Sequence, residues 1–179
     1  GLIWDDPVWY AQGRGQTFWE LLLSLPTYQY YRPLAIAVNH LLTSADGVVH
    51  AELAHALQVA AHLAGTLALL GVLRGFGLGQ WHARLAALLF AVHPFGHQPV
   101  AGQAPQQPIA TALVLASVLL AQRYAVARRP GHLVGSALVY AAGLLFQESA
   151  AGAAWLFLWV ALIDAARRRQ GWRRGLRAN

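Results

Sequence analysis

The chain reads as an all-α integral membrane protein, with about five transmembrane helices and two short juxtamembrane amphipathic helices. Three observations predict this. Apolar residues make up 57% of the 179 positions and charged ones only 11%, where soluble domains carry about 25% charged residues. From about residue 52 onward, apolar runs of near-membrane length alternate with arginine or proline. The arginines cluster at the ends of those runs, which is how topology is written into a membrane chain. Mean hydropathy is accordingly positive, at +0.41.

The elements follow in order. Residues 1–51 form an extracytoplasmic loop in which Trp4, Trp9, Tyr10, Trp19, Tyr28, Tyr30 and Tyr31 crowd among polar residues. Such rings favour the headgroup zone, being apolar in body and polar at the tip. Two amphipathic helices are expected near 16–25 and 33–43, each too short to span and each lying in the membrane plane. Pro26 separates them, and Pro33 suits a first helical turn, where its missing N–H has no partner to lose. Residues 52–166 form the helical bundle, with spans near 52–73, 85–101, 108–127, 132–147 and 149–165. A helix needs about 20 residues to cross a ~30 Å hydrocarbon core, so the last two are short. They form either a tight hairpin with Glu148 at its tip or a partly re-entrant pair. Residues 167–179 are a basic cytoplasmic tail.

The charges test this order. All thirteen basic residues are arginine. With five spans, all of them except Arg14 and Arg32 fall on one side, which the positive-inside rule makes cytoplasmic. Six of the seven acids, Asp5, Asp6, Glu20, Asp46, Glu52 and Glu148, fall on the other, and only Asp164 stays with the arginines. The net charge of +6 is therefore topology chemistry, and no nucleic-acid partner is expected. Cysteine is absent, which excludes disulfides, thiolate metal sites and cysteine nucleophiles. The chain opens on Gly1 without a signal peptide and is expected to be a piece of a longer protein that has at least one earlier span.

Several motifs carry chemistry. The adjacent Asp5 and Asp6 can take a proton, bind a hydroxyl, or hold a divalent cation (Mg²⁺ or Mn²⁺) as hard oxygen ligands. Arg32, within Tyr30-Tyr31-Arg32-Pro33-Leu34, stands on the same side. Its planar fork either holds the phosphate of a lipid carrier or serves as a headgroup anchor or a salt bridge to Asp5 or Asp6. His55, Gln58 and His62 recur at i, i+3 and i+7 on one face of the first full span. Polar groups there mark a site or hydrogen-bond between helices, with a haem or metal ligand as a further reading. His93-Pro94-Phe95-Gly96-His97-Gln98-Pro99 breaks the second span, and Gln103, Gln106 and Gln107 extend it as a solvated turn or a lined cavity. Gln147-Glu148-Ser149 interrupts the last long apolar stretch as a loop tip or a buried acid.

Taken in order, these motifs resemble a known family. The Asp-Asp pair, Tyr-Arg-Pro-Leu, His-x-x-Gln-x-x-x-His, Ala-Leu-Leu-Phe-Ala-Val-His-Pro (87–94) and Gln147-Glu148-Ser149 are similar to the membrane region of the transmembrane-and-tetratricopeptide-repeat O-mannosyltransferases and their bacterial relatives. These are polytopic glycosyltransferases of the GT-C superfamily. The resemblance implies a partial GT-C fold in a bacterial inner membrane, with an extracytoplasmic active site. It implies transfer of a sugar from a polyprenyl-phosphate carrier to a hydroxyl on a protein or glycan, with inversion. Asp5 and Asp6 would be catalytic and possible metal ligands. Arg32, His93, His97, Gln98, His55 and His62 would bind substrate or the lipid phosphate. Amides stand at Gln98, Gln106 and Gln147 where the family favours charges, which keeps a catalytically inactive scaffold or assembly subunit in view. A transporter relaying protons through His55 and His62 is the third reading, opposed by the clustering of polar groups at one membrane face.

Overall fold

The computed structural model describes residues 17–23, 31–43, 48–93 and 105–177, with the backbone alone for 18, 21, 22 and 170–177. Asp5, Asp6, His97 and Gln98 lie outside the described residues. Seven α-helices and one 3-10 helix are seen among the described residues: α1 (Phe18–Leu23), α2 (Pro33–Leu41), α3 (Ala51–Gly75), α4 (Gln80–Val92), α5 (Gln106–Ala127), α6 (Pro130–Phe146), the 3-10 helix Glu148–Ala153, and α7 (Ala154–Arg177). No strand occurs among the described residues; an isolated bridge, Thr43 to Val49, closes the turn from α2 to α3.

The first helix starts on a reciprocal cap. The Thr17 backbone N–H donates to the Glu20 carboxylate at 2.6 Å, and the Glu20 N–H donates to the Thr17 hydroxyl at 3.3 Å. Thr-x-x-Glu satisfies two otherwise unpaired helical donors in this way. The Thr17 backbone N–H, then its hydroxyl, hold the exposed Glu20 carboxyl below its ordinary pKa. Pro33 opens α2 as the sequence predicts.

Three helical stretches are long and apolar enough to cross a membrane: Ala51–Gly75, Gln106–Ala127 and Glu148–Arg169. The chain is a helical membrane protein on this ground and on what it exposes. On α4, Trp81, Leu85, Leu88, Leu89 and Val92 are all exposed, as are Trp155, Leu158, Trp159 and Leu162 on α7. Contiguous apolar faces of this size match a lipid environment rather than water. The other two expected spans are shorter helices. The described part of the second, α4, has 13 residues, or ~20 Å at 1.5 Å per residue. It begins five residues before the expected start, and the remainder of the expected span lies outside the described residues. The fourth, α6, has 17 residues. The residues expected as a basic tail continue α7 without a break to Arg177.

Helix α5 is the hub, with α3, α6 and α7 packed against it. Lipid supplies no hydrophobic force between helices, so close backbone approach and interhelical hydrogen bonds hold such a bundle. A Cβ on Gly65 would lie 3.6 Å from Ala112 of α5, and one on Gly143 of α6 would lie 3.5 Å from Val114. Buried Ser136 of α6 donates its hydroxyl to the Ser117 carbonyl of α5 at 2.8 Å. Val72, Val118, Ala121 and Val160 close the α3–α5–α7 core. Ala35, Ala110 and Phe146 seat α2 on α5 and α6 at the opposite end.

The antiparallel order gathers the arginines. Arg128 ends α5 in the left-handed region, at φ 55°, and pairs with Asp164 of α7. Arg168 meets the same carboxylate at 3.0 Å. Arg167 donates to the Gly75 carbonyl at the end of α3, at 3.2 Å. The C-termini of α3 and α5 are thereby tied to the middle of α7 at one end of the bundle.

Candidate functional site

The opposite end is built from two segments far apart in sequence. Buried Pro33 begins α2 and fixes the chain direction at Arg32, the residue before it. After α6, Gln147 is extended (φ −160°, ψ 123°), and Glu148 starts the 3-10 helix. The Arg32 Nε donates to Glu148 Oε2 at 2.6 Å, and Nη2 donates to Oε1 at 2.5 Å. This is a two-pronged guanidinium–carboxylate pair, the geometry that also suits phosphate. The Arg32 side chain is 11% exposed and that of Glu148 46%. The arginine is thus held in place while one edge of its partner stays open.

Buried carboxamides stand in the same half of the molecule. Gln106 is the first residue of α5, which touches the 3-10 helix. Its Oε1 is buried without a hydrogen-bond partner, and so is Oε1 of Gln147. Gln58 on α3 is 0% exposed, and neither its Oε1 nor its Nε2 has a partner. An unsatisfied buried polar group costs about 1–3 kcal/mol. Three such side chains in the half that holds a fixed guanidinium suit water or a hydroxyl-rich ligand.

The histidines divide. The His62 Nε2 donates to the Ala91 carbonyl of α4 at 3.1 Å, and its ring stacks on Phe90 with centroids 5.2 Å apart. A carbonyl only accepts, so Nε2 carries the proton. Ala91 lies in the last turn of α4, where carbonyls have no intrahelical donor; His62 therefore caps its neighbour. Exposed His93 follows directly after α4, so the structure brings His62 and His93 to the same helix end. His55 is exposed near the start of α3. It shares the turn angle of Gln58 and His62 but not their burial.

Among the described residues, no three His, Asp or Glu side chains gather as a metal-binding group. One of the sequence readings of Arg32 makes Asp5 or Asp6 its salt-bridge partner; both lie outside the described residues, and the partner seen is Glu148. The missed signal was side of membrane: Arg32 is a basic exception on the acidic side, and Glu148 is on that side as well. No protein-family model, curated protein or solved structure matches this chain.

Proposed function

We propose that this chain belongs to a membrane glycosyltransferase that moves a sugar from a polyprenyl-phosphate carrier to a hydroxyl of a protein or glycan. The transfer occurs at the Arg32–Glu148 end, on the extracytoplasmic side of what we read as a bacterial inner membrane. The observation that supports it most is the guanidinium fork of Arg32, held by Glu148 at the end where unpaired amides are buried. The motif order from Asp5-Asp6 to Gln147-Glu148-Ser149 supports it as well.

In this reading Asp5 or Asp6 takes the proton of the acceptor hydroxyl as its oxygen attacks the anomeric carbon. The sugar–phosphate C–O bond breaks, the configuration inverts, and the polyprenyl phosphate leaves. Arg32 receives that phosphate by exchanging one prong of its pair with Glu148. Glu148 is a positioning residue that holds the guanidinium between turnovers. Gln106 and Gln147 accept hydrogen bonds from sugar hydroxyls. A Mg²⁺ or Mn²⁺ ion on Asp5 and Asp6, when bound, adds charge neutralisation for the leaving phosphate.

The test supplies membranes containing the protein with a polyprenyl-phosphate sugar and an acceptor peptide or glycan. Asp5→Asn, Asp6→Asn and the double variant are compared with the unaltered chain. General-base assistance contributes typically 10²–10⁴-fold, so a loss of that size in at least the double variant is expected. Unchanged transfer in all three removes the carboxylates from the reaction. A second reading, a catalytically silent scaffold, is favoured by Arg32 already carrying a carboxylate. It wins if no donor supports transfer while Arg32→Gln still lowers the melting temperature.

A further inference from the structure

At the arginine-rich end, three helices frame a cleft of about 100 Å³, lined among others by Gly75, Phe76, Gln122, Val160, Asp164 and Arg167. For comparison, a dry cavity of ~150 Å³ takes a benzene-sized molecule. The cleft therefore accommodates a short chain of heavy atoms. Its polar groups have a defined arrangement. Gln122 of α5 is buried, and its Nε2 donates to the Val72 carbonyl at 3.0 Å. That bond sets the orientation of the amide and leaves Oε1 buried with no donor. Arg128 and Arg168 both donate to Oδ2 of Asp164, so Oδ1 remains an acceptor. Arg167 spends one Nη2 bond on the Gly75 carbonyl and adds a cation to the wall. The remaining wall is apolar, and Val126 of that wall is itself an exposed residue on a span.

The cleft thus offers acceptors inside and arginines around its rim. A ligand that fits brings hydroxyl donors inward, carries a negative phosphate outward and continues into apolar chains. An ammonium headgroup fits less well, because Arg128 and Arg168 crowd the one carboxylate it would seek. We propose that this cleft binds an anionic phospholipid whose headgroup carries hydroxyl donors, the chemistry of phosphatidylglycerol. The glycerol hydroxyls donate to Gln122 Oε1 and Asp164 Oδ1, and the phosphodiester pairs with Arg167. This site lies at the other end of the bundle from Arg32 and stands independently of the proposed reaction.

The experiment uses the full chain in a neutral detergent, with thermal unfolding followed as lipids of matched acyl chains are added. Phosphatidylglycerol is expected to raise the melting temperature by roughly 5 °C more than phosphatidic acid, phosphatidylethanolamine or phosphatidylcholine. Gln122→Leu and Arg167→Gln should each abolish that margin. Gly75→Ala is a third variant, since its Cβ would fall 2.2 Å from Gln122 Oε1 and displace the amide. Equal stabilisation by phosphatidic acid would mean that charge alone is sensed, and the proposal fails. Equal stabilisation by soluble glycerol phosphate would make the ligand a free phosphate ester and overturn the lipid assignment. A margin that survives in all three variants places the lipid elsewhere.

Discussion

Arg32 and Glu148 illustrate how far a single residue's chemistry could be read in advance. Arg32 stood out because it broke the charge asymmetry of the chain, and Glu148 because it interrupted an apolar stretch. Their contact was not legible, since the two are 116 positions apart and no local pattern encodes the seating of α2 on α6. The pair lies between an exposed ion pair, worth ~0–1 kcal/mol, and a buried one, where removing a partner costs ~3–5 kcal/mol. Replacing either by glutamine should therefore cost about 2 kcal/mol in a denaturant titration. The double variant should cost clearly less than the sum, and strict additivity would show that the two do not interact. Gly75 offers a sharper case. Its Cβ would lie 2.2–2.9 Å from three atoms of the Gln122 amide, so Gly75→Ala should destabilise by ~1–3 kcal/mol. Shortening Gln122 to alanine in the same chain should recover part of that loss, because the colliding atoms are gone. No recovery would mean the strain sits in the backbone instead.

Among the elements, the long apolar helices and the two short ones before them were legible from hydrophobic runs and prolines. What the runs could not reveal was depth. Helix α4 ends in its described part after ~20 Å, with the His62 ring capping its Ala91 carbonyl. A histidine on an apolar helix looks the same in sequence whether it caps a neighbour or faces a substrate. The α3–α5 contact makes a discriminating prediction. A Cβ at Gly65 meets Ala112 at an ordinary 3.6–3.8 Å, so Gly65→Ala should be nearly silent. Gly65→Leu should force the helices apart and lower the melting temperature by several degrees, and equal effects of the two would contradict the packing described. Helix α1 carries one pH dependence. The Thr17 groups lower the Glu20 pKa, so the cap's stabilisation is complete above the unfolded value and is lost as pH falls through the folded one. Thr17→Ala should move the Glu20 titration upward in a carboxyl-resolved NMR experiment. An unmoved midpoint would show that the cap does not form.

At the scale of the whole molecule, the chain has two chemically different ends. One gathers Arg74, Arg128, Arg167 and Arg168 around Asp164 in the middle of α7 and the closing turns of α3 and α5. The other gathers Arg32, Glu148 and the buried amides of Gln106 and Gln147. This separation was the most legible feature of all, because charge asymmetry between the ends of apolar runs is a property of the whole sequence. It needs no long-range contact to be seen. On the proposal made above, the positive-inside rule puts the arginine-rich end in the cytoplasm and the Arg32–Glu148 end outside. The absence of cysteine allows a direct check in sealed cells with a membrane-impermeant thiol reagent. Single cysteines at exposed Ser149, beside Glu148, and at exposed Arg129, in the turn between α5 and α6, report the two ends. The account predicts that Ser149→Cys is labelled in intact cells and Arg129→Cys only after the membrane is opened. Labelling of both from outside, or the reverse order, would contradict it.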